Sequence, residues 1–126
     1  MLCPAVFPET DIGDGSEFRE IAPVPDLPPP APPLDVSAMS RATGWSLLRF
    51  APDWVGGWHC TPSRQWMFVL AGETTVRTSD GSQCDLRAGS ICLLEDTRGK
   101  GHLTTIIGGH EVLMVAVHIP DDEPAA

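Results

Sequence analysis

The sequence predicts an all-β domain, a closed barrel or a double-sheet jelly roll, and three observations predict it. Between Trp45 and Ile119, short runs of apolar and β-branched residues are cut by turn signals at Ala51-Pro-Asp, Gly72-Glu73, Ser79-Asp80-Gly81, Ala88-Gly89 and Gly108-Gly109. No run in this part keeps a helical period for three turns, whereas residues such as Thr74, Val76 and Thr78 alternate with Thr75 and Arg77 as a half-buried strand requires. Seven or eight such strands would leave exposed edges unless the sheet closes on itself or doubles.

In order along the chain, residues 1 to 20 are weakly patterned, with Asp, Gly and Glu prominent around Asp11-Ile-Gly-Asp-Gly-Ser-Glu-Phe, and read as a wrapping arm or a mobile lead. Pro23 to Pro33 holds seven of the thirteen prolines, which forbids helix and favours an extended polyproline conformation. That segment reads as a stiff strap over the barrel or a spacer, with a docking motif for a proline-recognition domain as the alternative. Any helix is confined to residues 36 to 43. Strands are predicted at Trp45 to Phe50, Trp54 to Cys60, Gln65 to Ala71, Thr74 to Thr78, Gln83 to Arg87, Ser90 to Glu95, His102 to Ile107 and Glu111 to Ile119. The Asp-Gly in the Ser79-Asp80-Gly81 turn tolerates the positive φ that a tight hairpin needs. The domain organisation is therefore an N-terminal arm over 1–44, a β-barrel over 45–119 and a tail over 120–126.

Composition narrows the function classes. At 126 residues, 42% hydrophobic and 20% charged, the chain makes one globular domain with a single core. The net charge of -9 and the scatter of the eight basic residues argue against nucleic acid as a partner, because a phosphate backbone would be repelled. The longest apolar run, Val112 to Val117, is far short of a membrane span, and the N-terminal residues lack a basic flank and apolar core; a soluble, cytoplasmic protein is expected. Cys3, Cys60, Cys84 and Cys92 form no Cys-x-x-Cys pair, so free thiols are expected rather than a zinc framework or disulfides.

The chemistry is concentrated in Gly57-Trp-His-Cys-Thr-Pro-Ser-Arg-Gln-Trp-Met-Phe-Val-Leu-Ala-Gly72 and in Glu95-Asp-Thr-Arg-Gly-Lys-Gly-His102. The first stretch resembles the first motif of the cupin superfamily: His59 takes the first histidine place, Thr61 the second, Gln65 the glutamate place, and Gly72 closes the motif after six residues. The second stretch echoes the second cupin motif, with Gly89 before it, Thr97 in place of proline, and His102. More narrowly, His-x-x-Pro-x-Arg-Gln followed by Glu-Asp-Thr-x-Gly-Lys-Gly-His looks like a group of small bacterial single-domain cupins. The resemblance covers residues 45 to 119. It implies a cupin jelly roll, a homodimer and a small-molecule cavity, and it carries the metal positions over to His59, Gln65 and His102, which would hold one iron, manganese, nickel or zinc ion.

Two imidazoles and a neutral amide make a poor set for those metals, which prefer anionic oxygen or further nitrogen. The other branch is metal-free proton transfer between His59 and His102, with Asp96 or Glu95 orienting one ring. Arg64 is read either as an anchor for an anionic substrate or as the partner of Asp53 or Glu95. Trp58, Trp66, Asp96 and His118 complete the candidate substrate-binding residues, with Trp54 and the other tryptophans also read as packing. Cys60 is expected on the face opposite His59, which speaks against a Cys-His nucleophilic pair. The functional expectation is an isomerase-, cyclase- or lyase-like enzyme acting on a small organic metabolite. The alternatives are a non-catalytic ligand-binding or sensory module, and a scaffold recruited through the proline-rich segment.

Overall fold

The computed structural model describes residues 5–8, 15–19 and 34–124. Among them the fold is all-β: nine strands form and no helix does. They are β1 (Ala5–Pro8), β2 (Ser16–Arg19), β3 (Gly44–Phe50), β4 (Gln65–Ala71), β5 (Glu73–Thr78), β6 (Gln83–Arg87), β7 (Ile91–Leu94), β8 (His102–Ile107) and β9 (Val112–His118). No helix of the described residues is long and apolar enough to cross a membrane. Residues 36 to 43 form no helix and are exposed, and the proline-rich expectation for Pro23 to Pro33 lies outside the described residues.

Two sheets result, one of six strands in the order β2-β1-β7-β4-β9-β3 and one of three in the order β6-β5-β8. They remain separate sheets, each with its own edge strands, so they do not close into a barrel. Period-two alternation decides which side chains face inward. In β4, Gln65, Met67 and Val69 are buried while Trp66 and Phe68 on the other face are half-buried. The same alternation in β9 turns Val112, Met114 and Ala116 inward. These residues meet Val76 of β5 and Leu86 of β6 from the small sheet, together with Val6, Cys92 and Leu94, in the main core.

Two short stretches of the N-terminal arm, β1 and β2, are part of the large sheet. β1 lies antiparallel to β2 and parallel to β7, with Val6 opposite Leu94, and Ala5 and Val6 are fully buried. That insertion follows from Ala-Val-Phe, a short apolar run whose burial outweighs its weak pattern. Ser16, fully buried, ties β2 to the site: its hydroxyl donates to the Gly101 carbonyl at 2.6 Å, and its amide donates to Ser79 Oγ at 2.6 Å.

The hairpin at Ser79-Asp80-Gly81 forms as its residues require. Thr78 Oγ1 donates to Asp80 Oδ1 at 2.6 Å and the Ser82 amide donates to the same oxygen at 2.9 Å, which together hold the Asp80 carboxyl below its ordinary pKa.

One predicted strand does not form. Trp54 to Cys60 carries only two isolated bridges, Val55 to Thr105 and His59 to His102. The reason is local: the Trp54 ring folds back over Gly56, so closely that a Cβ there would fall 2.2 Å from it, and packs edge-on against Phe50 at 4.9 Å. A chain bent around its own indole cannot extend, so residues 51–64 form a loop laid along the β8 edge.

Candidate functional site

A cavity of about 340 Å³ lies between the two sheets, capped by the 54–62 loop. Its deep walls are apolar, from Met67, Val76, Leu86, Cys92, Leu94 and Met114. Its polar wall gathers His59, Thr61, Gln65, His102 and His118. These come together because β4 begins at Gln65, β9 ends beside it at His118, and the loop between carries His59 onto the first residue of β8.

His59 and His102 form a reciprocal backbone bridge, the His59 amide donating to the His102 carbonyl at 3.1 Å and the reverse at 2.9 Å. Their ring centroids are 4.8 Å apart. His102 is buried, and its Nδ1 is 2.6 Å from Asp96 Oδ2; Asp96 is itself completely buried. The second Asp96 oxygen accepts from Thr61 Oγ1 at 2.8 Å, so both carboxylate oxygens are held. His59 Nδ1 lies 2.8 Å from the Gly57 carbonyl oxygen. A carbonyl and an ionised carboxylate only accept, so both rings carry their proton on Nδ1 and, when neutral, present an unprotonated Nε2.

The sequence reading placed Asp96 or Glu95 behind one ring; Asp96 takes that place and Glu95 does not. Arg64 turns away from the cavity and forks onto Glu95, Nε to Oε2 at 2.6 Å and Nη2 to Oε1 at 2.9 Å, while its Nη1 donates to the carbonyls of Pro120 and Asp121. Those bonds hold the guanidinium's pKa above its already high value. Of the two roles read for Arg64, the geometry shows the pairing with Glu95. Trp58 is exposed on a separate shallow depression with Ser79 and Lys100. Trp66 packs outward on Leu93 and Ile119, so the tryptophan lining the cavity is Trp54. His118 does line it, with Nδ1 at 2.5 Å from Ser63 Oγ.

Cys60 corrects another expectation. Because residue 59 sits at an isolated bridge instead of inside a strand, alternation is not imposed, and Cys60 lines the cavity next to His59. Its Sγ donates to the Gly99 carbonyl at 2.7 Å. Cys60 forms no disulfide, and Cys3 lies outside the described residues. Thr61 was read only as a failed metal ligand; its role as a clamp on Asp96 had no signal in the sequence beyond its place in the motif.

The donors do not suit a resident metal. Among the described residues no group of three His, Cys, Asp or Glu side chains is arranged to hold one, and Gln65 offers only a neutral amide beside the two imidazoles. What the arrangement provides is two imidazoles side by side, one backed by a clamped carboxylate, at the polar end of an apolar cavity.

Compared with models of known families and with curated proteins, the chain finds no match. Among solved structures it is similar to protein NMB1881 from Neisseria meningitidis, at 20% identity and a TM-score of 0.49, over 60% of this chain and 72% of that one.

Proposed function

We propose that this chain is a cupin-type jelly-roll enzyme that moves protons on a small organic molecule held between its sheets, as an isomerase, cyclase or lyase does. The observation that carries the reading is the Asp96–His102 pair with the His59 ring beside it, at the polar end of the cavity. His102 takes a proton from the substrate on Nε2, and Asp96 stabilises the imidazolium that forms while keeping the ring in one tautomer. His59, charged at the start of the cycle, returns a proton from its own Nε2, and the two rings exchange roles as the product leaves. No step requires a metal.

His59→Ala is the cleanest test, because His59 is exposed and its side chain bonds only to the Gly57 carbonyl. Against a turnover found by screening metabolites with the wild-type protein, this variant should keep its thermal midpoint and lose about 10²- to 10⁴-fold in kcat. Undiminished turnover in the variant sinks the proposal. Turnover absent from the wild type, with retained binding, leaves the rival reading of a sensory module. Elemental analysis of the purified protein checks the metal branch, since near-stoichiometric iron, manganese, nickel or zinc would overturn the metal-free route.

The homodimer is proposed on edge strand β3. Trp45 is 71% exposed and Leu47 59% exposed on its outer face, continuous with Val115 and Val117 of β9. An unpaired edge bearing large apolar side chains is what monomeric proteins avoid, and two copies related by a twofold axis would pair β3 with β3 antiparallel. Light scattering should give twice the chain mass for the wild type and a single mass for Trp45→Lys combined with Leu47→Lys; a monomeric wild type refutes it.

A further inference from the structure

We infer that the cavity is built for an electrically neutral, mainly apolar carbonyl compound, whose oxygen is received by Gln65; this rests on the proton-transfer reading of the same site. Among the described residues the lining contains no Lys, Arg, Asp or Glu. Arg64, the nearest basic residue in the motif, is consumed by Glu95 and the tail carbonyls, and Arg41 and Arg49 are paired on the surface with Asp122, Glu123 and Glu111. The Asp96 carboxylate, fully buried behind His102, repels an anion. With the imidazoles neutral, a carboxylate or phosphate entering this space loses its hydration and meets no counter-charge, so it binds more weakly than a neutral ligand of the same shape. A cation fares no better, because Asp96 already has both oxygens occupied.

Gln65 supplies the positive half of the argument. Gln65 is 8% exposed as a residue and lines the cavity, and among the described residues no side-chain hydrogen bond holds its amide. An amide that opens on the cavity and is not bonded within the protein is free to donate to whatever enters. Its neighbours across the sheet are Leu94 and His118, which places it between the apolar depth and the imidazoles. An amide N–H donated to a carbonyl oxygen polarises that carbonyl, and a C–H on the adjacent carbon then lies on the imidazole side. The chemistry balances without a co-reactant. The C–H bond breaks and its proton goes to His102 Nε2; its electron pair forms the carbon–carbon double bond of an enolate whose oxygen Gln65 holds. The His59 Nε2–H bond then breaks and its proton goes to the enolate oxygen, giving the neutral enol.

The test uses binding alone, so that it stands or falls separately from turnover. With methionine methyls labelled by carbon-13, Met67 and Met114 report occupancy of the cavity while exposed Met39 serves as a control. At about pH 8.5, where free imidazoles are neutral, acetophenone should shift both cavity methyls and saturate, and benzoate, of the same skeleton but anionic, should bind at least tenfold more weakly. Gln65→Leu should weaken acetophenone roughly tenfold, as loss of one hydrogen bond to a buried oxygen would. Benzoate binding as tightly as acetophenone, no binding of either, or unchanged affinity in Gln65→Leu overturns the inference, whatever His59→Ala does to turnover.

Discussion

Replacing Gly101 by alanine is expected to remove the imidazole pair and to destabilise the whole domain. Gly101 has φ +73° and lies where the 57–62 loop crosses β8; an ideal Cβ would stand 1.9 Å from the His59 carbonyl oxygen and 2.6 Å from the Cys60 amide nitrogen. Both are backbone atoms, so no side chain can rotate away. To admit the methyl group, the loop must leave β8, breaking both bonds of the His59–His102 bridge and displacing the carbonyl that accepts from Ser16. We expect a loss of about 4 kcal/mol or more, in the range that single substitutions seldom reach. Gly109→Ala is the control: φ is +66° but nothing stands within 4 Å of the added Cβ, so the backbone cost alone should appear, about 1–2 kcal/mol. Chemical denaturation of the two variants measures the difference. Equal losses would mean that the loop yields freely and the bridge is not held as described.

The second large effect is at Arg64. Its side chain is 13% exposed and that of Glu95 9%, so removing the guanidinium strands a carboxylate with little access to water. Arg64→Ala should cost about 3 kcal/mol, and it also frees the tail, whose Pro120 and Asp121 carbonyls lose their donor. Adding Glu95→Gln should recover a large part, because the stranded charge is then gone. Acetophenone binding in the folded Arg64 variant should be unchanged, since Arg64 does not line the cavity. Thermal unfolding and the methionine titration together check this. Loss of ligand affinity without loss of stability would restore Arg64 as a ligand contact.

These two residues mark the division between what is readable along a chain and what is not. Gly101 and Arg64 both stand out in the sequence, one for its turn propensity and the other as a lone base in the motif. Their effects arise from partners remote in the chain, the His59 backbone and the Glu95 carboxylate.

By itself the sequence determined the all-β class and nearly all the strands of the second half, with Gln65 to Ala71, Gln83 to Arg87 and His102 to Ile107 bounded as observed. It did so because alternation and turn chemistry are local properties of the backbone, written in consecutive residues. It also paired His59 with His102 through the motif spacing. The tertiary structure alone decided the rest: that Ala5–Pro8 enters the large sheet, that Trp54 and not Trp58 or Trp66 faces the cavity, that Asp96 is clamped by Thr61, and that Gln65 opens on the cavity. Each depends on which strands become neighbours and on how a loop crosses an edge. That is settled by burying apolar surface between two sheets, a global balance to which no short stretch of sequence holds the key.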